Sequence, residues 1–248
     1  MLFQQKFRIP EIGMIGDKSV LTIITARGGS KGLPKKNIKV LHNKPLINWT
    51  IEAALNSQYI DKLIVSTDCP EIGRVSVDAG AEVPFLRPSE LAMDTSKQED
   101  AILHAMAWVK ENEKQYDYVM VLVPTTPLRP TREIDDVVNE LLSNPDARAI
   151  FTVRECEHSP IQSNTLPKNN SMAGFVPEQY KLKNRQELPT YYQLSGSVCV
   201  SDWEWFESHE TFLTDKTYAY KTSAKNGLDI DSLADFLLAE VYLNNPEL

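Results

Sequence analysis

The chain has 248 residues, of which 42% are hydrophobic and 24% are charged, so it can bury the core of one generous α/β domain or of a domain with an insertion. The formal net charge of −8 argues against a general nucleic-acid binder, which normally presents a basic face, and we expect no nucleic-acid partner. No apolar run approaches the roughly 18–20 residues that span a bilayer, and we expect no membrane association.

Residues 1–18 precede the first apolar run. They contain neither a continuous apolar core nor a small-residue cleavage site, so we interpret them as a short leader and not as a signal peptide. The remaining residues, 19–248, are predicted to form one domain.

Short apolar runs then alternate with amphipathic segments. The runs predict strands at Val20–Ala26, Lys62–Asp68, 82–86, Tyr118–Val123, Ala149–Val153, Ser195–Val200 and 217–221. Helical spacing predicts helices over 45–58, 70–80, 96–113, 131–143 and 231–244, and an S-x-x-E box is predicted to cap the third helix at Ser96. The alternation implies right-handed crossovers and a mostly parallel sheet with helices on both faces, which is a three-layer α/β fold.

The alternation breaks between Glu155 and Leu194. This segment is polar, contains four prolines and lacks helical periodicity. We interpret it as an insertion, either an irregular arm or an antiparallel extension.

The three cysteines, Cys69, Cys156 and Cys199, are far apart in the sequence and match no metal-ligand spacing. A sparse, odd set of cysteines is typical of reduced thiols, and we expect a cytoplasmic protein without a structural zinc site.

A glycine-rich loop, ARGGSKGLPKKN, follows the first strand at residues 26–37. Its spacing fits neither the P-loop nor the dinucleotide fingerprint. Glycines nevertheless let backbone N–H groups approach an anion, and Arg27, Lys31, Lys35 and Lys36 can neutralise a polyphosphate. The spacing alone leaves two interpretations open: a phosphate-binding loop, or a tight loop with solvated lysines.

The same loop closely resembles the signature of the CMP-nonulosonate synthetases, the acylneuraminate-type cytidylyltransferases. IVSTD (Ile64–Asp68), LRPSELAMDTS (Leu86–Ser96), PTTPLR (Pro124–Arg129), an Arg185-Gln186 pair and LDID (Leu228–Asp231) follow in the family's order. The resemblance implies a Rossmann-like nucleotidyltransferase fold, that of the nucleotide-diphospho-sugar transferases, in which residues 155–194 form a dimerisation arm. It also implies the family reaction, in which CTP and a nine-carbon 2-keto acid sugar give a CMP-sugar and pyrophosphate with the help of Mg²⁺.

The resemblance assigns roles to the matching positions. It implies nucleotide binding by Arg27, Gly28, Gly29, Ser30, Lys31, Asn37, Arg87, Ser96 and Gln98, although the family usually has a small hydroxyl residue at the last of these. It implies catalytic roles for Lys36, Arg185 and Asp231, with the arginine reaching an active site from the arm of a homodimer that shares its sites. Simpler structural roles remain open at this stage: a turn cap for Asn37, a surface ion pair for Arg87, a helix cap for Ser96 and a solvated side chain for Arg185.

Asp229 and Asp231 are two residues apart, which puts both carboxylates on one side of an extended segment. Carboxylate oxygens are suitable ligands for Mg²⁺, which retains several waters. The alternative is that Asp231 merely caps the last helix, for which a Ser232-x-x-Asp235 pattern offers a rival cap.

The motifs that the resemblance assigns to the sugar acceptor differ from the family's usual sequence. Val123 stands where the family often has glutamine, and residues 193–197, QLSGS, stand where it often has R-x-N-G-A. The acceptor-binding residues are predicted to be Val123, Thr125, Gln193 and Ser195. We do not expect N-acetylneuraminate in particular; a legionaminic- or pseudaminic-type sugar or another 3-deoxy-ulosonate is an equal candidate. Two alternatives remain: a cytidylyltransferase for another acceptor, such as Kdo or a sugar phosphate, and a non-catalytic nucleotide-binding homologue.

Overall fold

The computed structural model describes residues 18–248. The predicted leader therefore lies outside the described residues, apart from Lys18. The strands are β1 (Val20–Thr25), β2 (Val40–Leu41), β3 (Lys44–Pro45), β4 (Lys62–Ser66), β5 (Tyr118–Leu122), β6 (Ala149–Glu155), β7 (Tyr192–Asp202) and β8 (Thr217–Thr222). The α-helices are α1 (Leu46–Leu55), α2 (Pro70–Asp78), α3 (Gln98–Asn112), α4 (Thr131–Ser143), α5 (Trp203–His209) and α6 (Leu233–Asn244).

Six strands form the central sheet in the order β4-β1-β5-β7-β6-β8. The pairs β4–β1, β1–β5 and β6–β8 are parallel, and only β7 runs antiparallel to its two neighbours. The carboxyl ends of β1, β5 and β6 therefore meet at one edge of the sheet. The predicted mostly parallel α/β fold is confirmed, and the reversal of β7 follows from the return of the chain out of the 155–194 segment.

Helices cover both faces of the sheet, which gives the three predicted layers. Along β1, Val20 and Ile24 pack with α1, α2 and α4, whereas Leu21 and Ile23 pack with α3 and α5. This is the period of two that a strand buried on both faces requires. A smaller cluster beneath α6 includes Leu33, Leu41, Leu228 and Phe236, and it joins the last helix to the glycine-rich loop.

Three local predictions were wrong. Helix α3 begins at Gln98 without a side-chain cap, because the Ser96 hydroxyl donates instead to the Glu90 carbonyl at 2.7 Å. Residues 82–86 make only isolated bridges, since Pro84 interrupts the run and cannot donate a ladder hydrogen bond. Helix α5 was missed; the Asp202 side chain caps it.

The last helix begins at Leu233, two residues after the predicted start. Ser232 and Asp235 form the capping box, in which each side chain bonds the other residue's backbone N–H. Asp231 therefore does not cap this helix, and its carboxylate is available to the loop.

The segment between β6 and β7 consists of short 3-10 turns and irregular chain with mostly exposed side chains. We call residues 155–194 the arm. Among residues 18–248, no helix has the length and apolar character needed to cross a membrane.

Candidate active site

The glycine-rich loop closes over the carboxyl end of β1. Gly28 N donates to Asp68 Oδ1 at 2.9 Å, which anchors the loop to the end of β4. A Cβ added at Gly32 would lie 2.4 Å from the Asp231 carbonyl oxygen. Only glycine permits this approach, so position 32 brings the loop directly against the segment that carries the two aspartates.

The basic side chains of this loop form ion pairs with carboxylates. Arg27 Nη1 and Lys31 Nζ share Asp94 at 3.0 and 2.6 Å, and Lys36 Nζ lies 2.9 Å from Asp231 Oδ1. The hydrogen bond from Lys31 is the main cause that holds the pKa of Asp94 below its ordinary value. The Lys36 side chain is only 14% exposed, whereas that of Lys31 is 75% exposed. An anion that binds Lys31 can therefore remain near the surface, whereas one that binds Lys36 must enter the site.

A cavity of about 400 Å³ lies between the loop, β5 and the aspartate segment. Its lining unites predicted site residues from four parts of the chain: Arg27, Ser30, Lys31, Lys36, Asn37, Gln98, Val123, Thr125 and Asp231. A second cavity of about 270 Å³ shares Thr25, Arg27 and Gln98 with it and is further lined by Arg87, Asp94 and Ser96. The two cavities thus adjoin along the Arg27 side chain.

Asn37 and Arg87 are buried and do not have the simpler roles considered from sequence. The Asn37 amide donates to the Arg27 carbonyl at 3.0 Å and leaves its own buried oxygen without a partner among the described residues. The Arg87 guanidinium lies 3.8 Å from Asp68 and is 6% exposed; burial lowers its pKa. Its Nε also lacks a partner within residues 18–248. Both side chains therefore present unsatisfied polar atoms, which cost free energy unless a ligand or water pairs with them.

The two aspartates differ in environment. Burial is the main cause that raises the pKa of Asp229, and the charge of Asp231 raises it further. Asp229 Oδ1 is buried and has no hydrogen-bond partner among the described residues. Asp231 is 78% exposed at the cavity. Ile230 N donates to the Thr125 carbonyl at 2.8 Å and fixes the segment between them.

This pair fits a Mg²⁺ ion that takes its remaining ligands from phosphate and water. An unpaired buried carboxylate oxygen beside a second carboxylate is a suitable hard-oxygen donor set. Within residues 18–248 there is no group of three or more metal-ligating side chains that would complete an all-protein cage. The residues that could hold the ion are therefore Asp229 and Asp231.

A buried polar network behind the cavity was missed from sequence. The Glu133 carboxylate accepts hydrogen bonds from Ser197 Oγ, Thr222 Oγ1 and Asn226 Nδ2 at 3.1, 2.7 and 3.0 Å. Arg129 donates to Thr126 Oγ1 at 2.8 Å and to the Ser197 carbonyl at 2.7 Å. Burial lowers the Arg129 pKa to about 10. The only available signal was a glutamate four residues before Val137, on the apolar face of the predicted helix.

The remaining predicted residues lie away from the lining of the two cavities. Gly28 and Gly29 belong to the glycine-rich loop but do not line either cavity. Gln193 and Ser195 are at the start of β7, and the Ser195 hydroxyl is buried without a partner among the described residues. Arg185 is exposed on the arm, where its guanidinium donates to the Glu157 carbonyl. The structure therefore does not bring Arg185 together with Lys36 and Asp231 of the same chain.

Comparison with known proteins gives a consistent result. The sequence profile of the Cytidylyltransferase family matches residues 21–230. CMP-N,N'-diacetyllegionaminic acid synthase of Legionella pneumophila and pseudaminic acid cytidylyltransferase of Campylobacter jejuni are each 30% identical over 89% of this chain and 94% of their own. N-acylneuraminate cytidylyltransferase of Escherichia coli is 31% identical over 89% of this chain, which spans about half, 51%, of that longer relative.

A solved structure shares the fold. CMP:2-keto-3-deoxy-manno-octonic acid synthetase, complexed with CTP, superimposes with a TM-score of 0.69 at 16% identity. The alignment covers 93% of this chain and 100% of the other.

Proposed function

Since this chain belongs to the cytidylyltransferase family, we propose that it transfers the cytidylyl group of CTP to a nonulosonic acid and releases pyrophosphate. The observation that carries the proposal is the contact between the glycine-rich loop and the aspartate segment. Gly32 packs on the Asp231 backbone, and Lys36 pairs with the Asp231 side chain at 2.9 Å. Cations for a triphosphate and Asp231, one of the two carboxylates proposed for the metal, therefore share one cavity.

The two adjoining cavities suit the two parts of a nucleotide. Arg27, Lys31 and Lys36 supply positive charge for the phosphates, with the arginine able to bind in a bidentate manner. Arg87, whose buried Nε lacks a partner among the described residues, offers the rest of the nucleotide a donor in the second cavity. Asn37, with one amide hydrogen committed to the Arg27 carbonyl, holds the arginine's backbone in place.

Asp229 and Asp231 would hold Mg²⁺, which when bound neutralises phosphate charge. In the reaction, the acceptor hydroxyl oxygen forms a bond to the α-phosphorus, the bond from that phosphorus to the bridging oxygen breaks, and pyrophosphate leaves. Lys36 stabilises the charge that builds on the phosphates, because it is already positioned and largely shielded from water. Asp231 is exposed at the cavity and can accept the hydroxyl proton.

The acceptor class follows from the relatives. Three of them are named for sialic-, legionaminic- and pseudaminic-type acids, all of which are acidic sugars. A 3-deoxy-octulosonate acceptor is the second candidate, because the solved structure with the shared fold is a synthetase for that class. The presence of Lys36, Asp229 and Asp231 together counts against a homologue that only binds nucleotide.

We also propose a cytoplasmic homodimer that shares its active sites. The arm exposes apolar side chains, including Leu182 at 98%, Met172 at 60% and Leu166 at 54%, and a partner subunit would cover them. Arg185 lies on the same arm and would reach the partner's cavity. The cytoplasm is where CTP is made and consumed.

The function is tested by incubating the purified protein with Mg²⁺, each of the four ribonucleoside triphosphates and a panel of acceptors that includes 3-deoxy-octulosonate. Release of pyrophosphate with CTP and a nonulosonic acid is expected. Replacing Asp231 by Ala should abolish turnover without loss of the folded state; full turnover by that variant would contradict the metal assignment. Preference for 3-deoxy-octulosonate would favour the second candidate.

A further inference from the structure

A partly exposed arginine outside the motif set, Arg154, lies near the end of β6. The strand register pairs it with Gln193 of β7 on one side and with Thr222 of β8 on the other. Paired residues point to the same face of a sheet. Arg154 therefore shares a face with Thr222, whose hydroxyl donates to the buried Glu133 of the network that holds Asn226.

The Arg154 guanidinium is held in place by a hydrogen-bonded neighbour, but no nearby carboxylate balances its charge. With the Gln193 amide oxygen facing it, Arg154 donates from Nε at 2.6 Å and from Nη2 at 2.7 Å. No carboxylate of residues 18–248 lies within 4.0 Å of it, in contrast to Arg27, Lys31 and Lys36. One edge of the guanidinium is thus fixed by a neutral amide, and the remaining N–H donors of its fork are left for another acceptor.

Arg154 also lies at the sheet edge that carries the site. The carboxyl end of β6 lies at the same sheet edge as those of β1 and β5. Thr222, which pairs with Arg154, begins the segment that passes through Asn226 to Asp229. Lys36 pairs with Asp231, whereas Arg154 has no carboxylate within 4.0 Å among the described residues.

The neighbouring cation on β8 does not compete for this position. Lys221 pairs with Val153, one residue away in the register, and so projects from the opposite face. Its ammonium lies over the Tyr192 ring, 4.7 Å from the centroid.

The sequence pattern agrees with this placement. Gln193 stands where the resembling family often has the arginine of R-x-N-G-A. In this chain the guanidinium comes from the residue directly across the strand pair, and Gln193 orients it. A guanidinium is therefore present at this register position of the strand pair, although it comes from β6 and not from β7.

We propose that Arg154 binds the carboxylate of the acidic acceptor and thereby selects 2-keto acid sugars over neutral ones. This inference rests on the proposed cytidylyl transfer. A planar guanidinium with a free edge matches a carboxylate in a bidentate manner, which is the strongest type of charge-assisted hydrogen bond between such groups.

The test compares Arg154→Gln with the exchanged pair Arg154→Gln/Gln193→Arg, using the best nonulosonic acid and its neutral C1-carboxamide as acceptors. Arg154→Gln should raise the KM for the acid by at least about tenfold and leave the KM for CTP within about twofold. The exchanged pair should recover most of the loss, and only the single variant should cease to discriminate acid from carboxamide. Arg148, an exposed arginine directly before the start of the same strand, provides the matched control, and Arg148→Gln should behave as wild type.

The outcomes separate this inference from the function on which it rests. An unchanged KM for the acid in an active Arg154→Gln variant would overturn the role of Arg154 alone. Equal losses for acid, carboxamide and CTP, with a lower melting temperature and no recovery in the exchanged pair, would show a purely structural arginine and also overturn it. Absence of turnover by the wild-type protein with every acid would overturn the proposed function itself, before any variant is made.

Discussion

At the scale of single residues, the candidate site is held in a charge-balanced state. Asp94 forms ion pairs with the two more exposed cations, Arg27 and Lys31, and Asp231 forms an ion pair with Lys36. A triphosphate that binds Arg27 and Lys31 must displace Asp94 from them. Exposed ion pairs contribute little in water, so this exchange opposes nucleotide binding only weakly.

Replacing Asp94 by Asn tests this exchange. The variant should bind CTP more tightly by up to about fivefold at low ionic strength, because no carboxylate then competes for Arg27 and Lys31. The gain should shrink as salt is added, since both partners are exposed. Isothermal titration calorimetry at two salt concentrations measures it. Weaker CTP binding by the variant would instead mean that Asp94 orients the two cations for the nucleotide.

At the scale of elements, two loops that carry site residues are joined through one buried carboxylate. Glu133, in the first turn of α4, holds Ser197 of β7, Thr222 at the end of β8 and Asn226 in the segment that leads to Asp229. Arg129 connects the loop after β5 to the same point through Ser197. A buried hydrogen-bond network of this kind fixes the relative positions of the elements it joins.

Glu133→Ala should therefore lower the free energy of unfolding by roughly 2–4 kcal/mol, because two buried hydroxyls and the half-buried Asn226 amide lose this acceptor. Urea denaturation measures the change. Glu140→Ala, on the exposed side of the same helix, is the matched control and should change stability by less than about 0.5 kcal/mol. Equal effects of the two substitutions would mean that the network contributes nothing specific.

A second contact between elements gives a pH dependence. Asp117 accepts hydrogen bonds from Lys18 Nζ and from the backbone and hydroxyl of Ser19, which ties the start of β5 to the start of β1. The Lys18 hydrogen bond is the main cause that lowers the pKa of Asp117 below its ordinary value of 3.8. The Asp117 carboxyl therefore binds a proton less tightly in the folded state than in the unfolded state. Its contribution to the free energy of unfolding is complete above pH 3.8 and is lost as the pH falls toward the folded-state pKa.

Asp117→Asn should accordingly be less stable than wild type at pH 7, by about 1 kcal/mol. It should also lose less stability than wild type on acidification below pH 4, because it has no carboxylate to protonate. Denaturation curves of wild type and Asp117→Asn, recorded at pH 7 and at several values below pH 4, give the free energies of unfolding that test this. Parallel pH profiles for wild type, Asp117→Asn and the exposed Asp78→Asn would contradict it.

Much of the site could be predicted from sequence because its parts are local. The glycine-rich loop and the two aspartates each carry their chemistry within a few consecutive residues. The contacts of Asp94, Glu133 and Arg154 could not be predicted, because each depends on the packing or register of segments far apart in the chain. The Ser96 cap failed for a similar reason: a carbonyl six residues earlier competes for the same hydroxyl.

At the scale of the whole molecule, one chain supplies an incomplete set of the predicted catalytic residues. Lys36 and Asp231 meet in one cavity, whereas Arg185 is on the exposed arm and does not line it. A homodimer in which each arm reaches the other subunit's site would complete the set.

Subunit complementation tests this arrangement. Arg185→Ala and Asp231→Ala should each be inactive as homodimers. Co-expression should restore about one quarter of wild-type turnover, because half of the dimers are mixed and each mixed dimer has one complete site. No recovery, with mixed dimers verified by mass spectrometry, would place Arg185 in its own subunit's site or outside catalysis.

The central claim, cytidylyl transfer to an acidic sugar, is tested most directly by phosphorus NMR of the purified protein with CTP, Mg²⁺ and nonulosonic acids offered one at a time. We expect that, with at least one acid, the three CTP resonances are replaced by those of pyrophosphate and of a single CMP phosphodiester in equimolar amounts. Persistence of the CTP resonances with every acid, while calorimetry shows that CTP is bound, would contradict it.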